Sequence, residues 1–259
     1  MTTHSPAAQS PTVGIIYPGH AAEDDYPTYE SSLKHHDDTG SVRLPVVIST
    51  IGVDEHTAAA LLETGSHARL SEAYQRLQAE HQLDSVMWAC TSGSFVYGWE
   101  GAHRQAERLA EEAGLPASST SLAFARALAA LGISKVAVAA SYPAELADHF
   151  EVFLTAAGTE VVRFTSHDIF TAGEVGHMGR EDVLQMIRDV DLDEAEAVLV
   201  PDTAMHSLQW VAELEAALGK PVLTANQVTV WEGMRIAGVT SPRLPGLGAL
   251  FSPSDASRL

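Results

Sequence analysis

Residues 85–91 (SVMWACT) and 197–203 (AVLVPDT) are two versions of one pattern, and this repeat constrains the fold more than any other feature of the chain. Each is a short apolar run ending beside a chemistry-bearing residue, Cys90 in the first and Asp202 in the second. A helical stretch follows each, closed by Gly-Leu-Pro at 114–116 and Gly-Lys-Pro at 219–221. A small-residue segment and another helical stretch come next, ending at Leu131-Gly132 and Ala237-Gly238. Glycine supplies the left-handed residue that ends a helix, and proline blocks its continuation. The repeat predicts duplicated α/β halves with Cys90 and Asp202 at equivalent strand ends. Chance likeness between two generic α/β halves is the alternative.

Short runs rich in β-branched residues support the first reading. Residues 13–17, 45–49, 84–89, 135–140, 160–164, 197–200 and 221–225 read as strands, alternating with helical patterns such as 98–113. That alternation implies parallel sheets covered on both faces. The expected class is α/β, with two similar lobes, each a parallel sheet flanked by helices, related by a pseudo-two-fold with the active site between them. A disordered tail is expected over 1–11, a first lobe over 12–119 and a second over 120–225. A C-terminal helix and tail over 226–259 is free to pack back on the first lobe. Ligands bind beyond the carboxyl ends of parallel strands. Pro18, Gly19, Thr91, Ser92 and Thr203 are therefore expected to bind substrate in the crevice that Cys90 and Asp202 border.

Composition removes several function classes. The chain carries 34 acidic and 15 basic residues, a formal charge of −19, which repels phosphate backbones and anionic lipid. Neither nucleic acid nor membrane is expected as a partner. A single cysteine excludes an internal disulfide framework and a multi-thiolate zinc site. His35-His36 matches no ligand spacing with nearby carboxylates, so no metal is expected. No glycine-rich phosphate loop follows a strand, and residues 245–248 (PGLG) read as a late loop. The opening residues MTTHSPAAQS lack the pattern of a signal peptide, and the most apolar window, 121–140, is broken by Arg126 and Lys135. A cytoplasmic protein is expected. Whether copies form a homo-oligomer stays open.

The lone thiol is either core filler or a nucleophile. Cys90 lies between a buried strand and the hydroxyl-rich Thr91-Ser92-Gly93-Ser94, ahead of a helix. Loop N–H groups and a helix start favour a thiolate, so the expectation is a thiol more reactive than usual near neutral pH. An ionised Asp202 nearby would oppose that. Asp202 itself is either an N-cap for a helix starting near His206 or a general acid/base. Tyr142, past the strand at 135–140, reads on spacing as a capping or packing residue.

The run Cys90-Thr91-Ser92-Gly93-Ser94-Phe95 resembles the arylmalonate decarboxylase and maleate cis–trans isomerase branch of the aspartate/glutamate racemase superfamily. The similarity extends to the strand and turn at 13–19, to Ala139-Ala140-Ser141-Tyr142, to 219–222 and to 245–251. It implies two lobes, no cofactor, and chemistry on carbon next to the carboxylate of a small substrate. Cys90 matches the first-lobe nucleophile of the maleate isomerases. By the same resemblance Thr91 and Ser92 stabilise an oxyanion, and Tyr142 binds a carboxylate. Arylmalonate decarboxylases carry their essential cysteine in the second lobe, where this chain has Asp202. That departure puts a symmetric two-thiol racemase mechanism in doubt. The expected activity is a cysteine-dependent isomerase of a small carboxylic acid, maleate-isomerase-like or racemase-like, through an enediolate-like or thiol-adduct intermediate. Cys90 thiolate would add to an activated carbon or remove its α-proton, with Asp202 handling protons on the opposite face. A decarboxylase of a substituted malonate is the alternative, favoured by an apolar subsite near Phe95, Val96 and Trp99. A catalytically silent carboxylate-binding protein is the third reading.

Overall fold

The computed structural model of the protein describes residues 10–19, 21–34, 41–50 and 52–252. The His35-His36 pair and most of the expected N-terminal tail lie outside the described residues. The first sheet holds β1 (Val13–Tyr17), β2 (Val46–Ile48), β3 (Ser85–Trp88) and β4 (Ala117–Ser119) in the order β2-β1-β3-β4. The second holds β5 (Lys135–Ala140), β6 (Glu160–Ser166), β7 (Ala197–Val200) and β8 (Val222–Thr224) in the order β6-β5-β7-β8. All pairings are parallel. The two orders are the same once the halves are superposed in sequence, so the chain is a doubled α/β fold. Strand β4 is an addition to the sequence reading. Its Ala-Ser-Ser has no apolar run of its own and is fixed by pairing with β3.

Helices connect the strands: α1 (Asp25–Leu33), α2 (Ala58–Thr64), α3 (His67–Glu80), α4 (Ser92–Phe95), α5 (Gly98–Ala113) and α6 (Thr120–Leu131) in the first half. The second half adds α7 (Ala144–Ala156), α8 (Ala172–Val175), α9 (Arg180–Val190), α10 (Val211–Leu218) and α11 (Ala225–Ile236). Helices α6 and α11 leave β4 and β8 in the same way. Ser119 caps α6 by accepting from Leu122 N–H at 3.4 Å, and a capping box of Thr224 and Gln227 starts α11. The two helices pack together, and α11 also lies on β1, β3 and β4 of the first sheet. Gly233 permits that approach, because a Cβ there would sit 2.3 Å from Val13 Cγ1.

Both faces of each sheet are apolar, as parallel sheets require. Val13, Ile15, Tyr17 and Met87 point into a core shared with Val136, Val138 and Phe150 of the second half. Alternate residues Ile16, Val86 and Trp88 face α3 and α5 instead. A polar tie crosses between the halves. Buried Asp25 accepts from Ser207 N–H (3.0 Å), Leu208 N–H (3.2 Å) and Asn226 Nδ2 (2.8 Å). Burial raises the Asp25 pKa against the pull of these three donors. Asn226 Oδ1 in turn accepts from Tyr26 at 2.9 Å.

Candidate active site

Cys90 and Asp202 each stand two residues past the end of the third strand of their sheet, β3 and β7. That position sends both side chains into one narrow cleft, about 40 Å³ open to water-sized molecules. Tyr17, Pro18, Gly19 and Ser92 line it from the first half, and Thr203 and Ala204 from the second. A larger groove of about 620 Å³ lies beside Arg126 and Arg235, away from the strand ends. Arg126 and Arg235 there pair with buried Glu232, and neither Cys90 nor Asp202 lines it.

The sulfur is held by its own turn. The chain leaves β3 through Ala89, whose N–H donates to Ile16 O at 2.8 Å, and enters the single turn of α4. Gly93 N–H then donates to Cys90 Sγ at 3.2 Å, and Ser92 Oγ lies 3.8 Å from the sulfur. A Cβ at Gly93 would come within 3.0 Å of Sγ and 3.1 Å of Trp88 Cζ2, so glycine lets the amide reach the sulfur. The expected thiolate is not what these surroundings favour. Burial pushes the Cys90 thiol up to about 11, and Asp202 adds to the rise, while Gly93 N–H and Ser92 oppose it only in part. The long helix α5 starts eight residues on, at Gly98, and the intervening α4 is one turn, so little helix dipole reaches the sulfur.

Asp202 is held by donors on both oxygens. Ala204 N–H donates to Oδ1 at 2.8 Å, and the Ser141 hydroxyl, just past β5, donates to Oδ2. No helix starts near His206; α10 begins at Val211, so the N-cap reading gives way to a tight turn closed by Ala204. Each carboxylate oxygen keeps a further lone-pair direction for a ligand. Tyr17 joins the halves across the cleft: its oxygen accepts from Ala22 N–H at 2.9 Å and its hydrogen goes to Thr203 O at 3.2 Å. Burial raises its pKa well above the ordinary phenol range.

Two expected binding residues sit behind the cleft wall. Tyr142 is buried, donates to Pro201 O at 2.7 Å, and packs edge-on to Phe95. With its proton given to Pro201 O, the phenol has no donor left for a substrate carboxylate in this arrangement. Thr91 is buried too, and its hydroxyl has no hydrogen-bond partner among the described residues. The residues whose apolar surface would favour a decarboxylase are engaged elsewhere in this structure. Phe95 packs against Phe150, and Trp99 against Phe153 and His103, because α4 and α5 turn them into the core. Sequence reasoning missed Val53, Asp54, Glu55 and His56, which follow β2 and line the cleft. Their position beyond a strand's carboxyl end was the available signal.

Among the described residues there is no group of three His, Cys, Asp or Glu placed to hold a metal ion, and no helix long and apolar enough to cross a membrane. Two parallel-sheet lobes with a thiol and a carboxylate at equivalent strand ends define a class of two-lobed α/β enzymes. The arylmalonate decarboxylase family model matches residues 64–251, and the chain belongs to that family. It is 27% identical to the arylmalonate decarboxylase of Bordetella bronchiseptica, over 95% of this chain and 99% of that one. It is also 27% identical to the maleate isomerase of Geobacillus stearothermophilus, over 67% of this chain and 71% of the relative. In fold it resembles the maleate isomerase of Pseudomonas putida S16 solved with maleate. There the TM-score is 0.84 at 21% identity, covering 95% of this chain and 99% of that one. A Nocardia farcinica maleate cis–trans isomerase variant with a covalently bound succinylcysteine intermediate matches at TM-score 0.76 and 21% identity, covering 88% and 92%.

Proposed function

We propose that this protein is a cofactor-independent isomerase of a small carboxylic acid, working through an enediolate-like intermediate. One observation carries the reading: a buried thiol and a donor-held carboxylate line the same narrow cleft from equivalent strand ends, and burial pushes the thiol up toward its protonated form. Moving a proton from one face of a carbon to the other needs one base and one acid, and this pair supplies both. Asp202 takes the proton from the carbon next to the substrate carboxylate, and the C–H electron pair moves into the enediolate. Cys90 S–H returns a proton on the opposite face. Exchange with water then resets both groups. Ser92 and the turn residues Gly19 and Thr203 hold the substrate oxygens. The relatives named as maleate isomerases and the cysteine adduct found in one of them support an isomerase. In the addition route the thiol gives its proton to Asp202, sulfur bonds to one alkene carbon, and the π pair moves into the substrate's enediolate. After rotation about the former double bond the enediolate pair re-forms it, the C–S bond breaks, and the proton returns to sulfur. A reduced thiol suits a reducing compartment, so we place the enzyme in the cytoplasm.

A second reading has its own support. Loss of carbon dioxide from a substituted malonate leaves the same enediolate, and a thiol that is protonated at rest is ready to quench it. The decarboxylase relative spans 95% of the chain. Reaction in deuterium oxide with maleate, phenylmalonate and a panel of amino acids separates the two. Deuterium entry or isomerisation without carbon dioxide is the expected result; carbon dioxide release makes the protein a decarboxylase. Inertness toward every carboxylate contradicts both.

A further inference from the structure

The cleft sets an electrostatic problem for the carboxylate substrate proposed above. Its lining carries Asp54, Glu55 and Asp202, and no lysine or arginine among the described residues. The molecule as a whole, at −19, does nothing to draw an anion in. One described lining side chain, His56, can become positive. We propose that His56 is a substrate-positioning residue, its Nε2–H anchoring the substrate carboxylate when the ring is protonated. This rests on the reading that the substrate is a carboxylate.

The ring is built in rather than loosely exposed. His56 Nδ1 lies 2.9 Å from Ile169 O, and a carbonyl can only accept, so Nδ1 carries the hydrogen. The backbone N–H of His56 donates to Phe170 O at 2.8 Å. The ring meets Tyr142 edge-on, with centroids 5.5 Å apart, and the residue is 8% exposed. Two residues back, Asp54 accepts from Ala172 N–H (2.9 Å) and Gly173 N–H (3.2 Å) at the start of α8. The loop after β2 is thus latched onto the second half, and the latch fixes the tautomer. Nε2 has no hydrogen-bond partner among the described residues, and the ring it belongs to lines the cleft beside Cys90. With Nδ1–H committed to Ile169, neutral Nε2 can only accept. Binding a carboxylate there therefore takes up a proton.

The charged and titratable groups around the ring act together. Asp54 and Glu55 come from its own loop, Cys90 from beyond β3, Tyr142 from beyond β5 and Asp202 from beyond β7. His167 and Asp168 precede Ile169 in the facing segment.

Two variants separate anchoring from structure. In His56→Asn the amide nitrogen takes the place of Nδ1, keeping the Ile169 bond and losing Nε2. In His56→Gln the amide nitrogen reaches the place of Nε2 instead. Binding of maleate, phenylmalonate, phenylacetate and alanine is measured by calorimetric titration from pH 5.5 to 8. For the wild type, affinity for the best of these should fall about 10-fold across the range in which imidazole titrates. His56→Asn should bind at least about 10-fold more weakly at pH 5.5 and show no pH dependence, and His56→Gln should recover part of the loss. Wild-type binding by the Asn variant, or pH-independent binding by the wild type, overturns the anchor while leaving the proposed function standing. Failure of all four ligands to bind at either pH contradicts the carboxylate reading beneath it.

Discussion

Cys90 shows how one side chain can be found in a sequence while its state is misjudged. Its place past a buried strand and before a hydroxyl-rich turn was legible; its protonation was not. Hydrogen-bond donors lie next to it in sequence, whereas burial and Asp202 reach it only through the fold, and the latter raise the thiol to about 11. Iodoacetamide should therefore alkylate Cys90 slowly at pH 7, with the rate still climbing above pH 9. Asp202→Asn removes the repelling charge and should move that profile to lower pH; an unmoved profile would take Asp202 out of the sulfur's surroundings. The shift also has a sign for stability. The unfolded thiol, with an ordinary value of 9.0, loses its proton before the folded one at about 11. Folding stability falls as pH rises between those values, by about 1.4 kcal/mol per unit of separation. Denaturant titrations at pH 8 and pH 10.5 should show a smaller loss in Cys90→Ser than in the wild type, since serine does not ionise there. For His56, the place of its loop beyond the carboxyl end of β2 was legible, but which of the loop's side chains faces the cleft was not, because an irregular loop has no periodicity.

Among the elements, those with chemical punctuation were read closely and those without were missed. Helix α5 runs from Gly98 to Ala113 as its pattern predicts, since Gly114 ends it at φ +62°. Strand β4 escaped because Ala117, Ser118 and Ser119 take their conformation from β3 rather than from intrinsic preference. The late glycine-rich segment at 245–248 matched the family pattern without showing why. The structure gives it a packing reason. Gly248 has φ +63°, and a Cβ there would lie 2.4 Å from the Glu215 carboxyl, which accepts from Ala249 N–H at 2.9 Å. Next to it, Leu247 is buried, and its carbonyl accepts from Gln227 Nε2 at 2.9 Å. Gly248→Ala should cost about 1–3 kcal/mol through the strained backbone and the crowding together, read as a lower denaturant midpoint. Activity per folded molecule should hold, because Glu215 and Gly248 lie outside the cleft lining; a selective loss of activity at unchanged stability would argue against a purely structural role.

At the scale of the whole molecule, the internal repeat carried most of the information. Two sheets of the same strand order bring Cys90 and Asp202 to equivalent points, and the shared core and the Asp25 tie hold the halves against each other. The latch from Asp54 and His56 to the second half was beyond the sequence, since its partners are backbone groups more than a hundred residues away. The central claim is that the two strand-end groups exchange protons with one substrate carbon. Its most direct test is α-deuterium incorporation in deuterium oxide by the wild type, Cys90→Ser and Asp202→Asn, on whichever carboxylate the wild type turns over. Both variants should keep the wild-type melting temperature within a few degrees and lose about 10²- to 10⁴-fold in rate. Asp202→Asn exchanging deuterium at the wild-type rate would contradict the claim, and Cys90 would then be working without a partner.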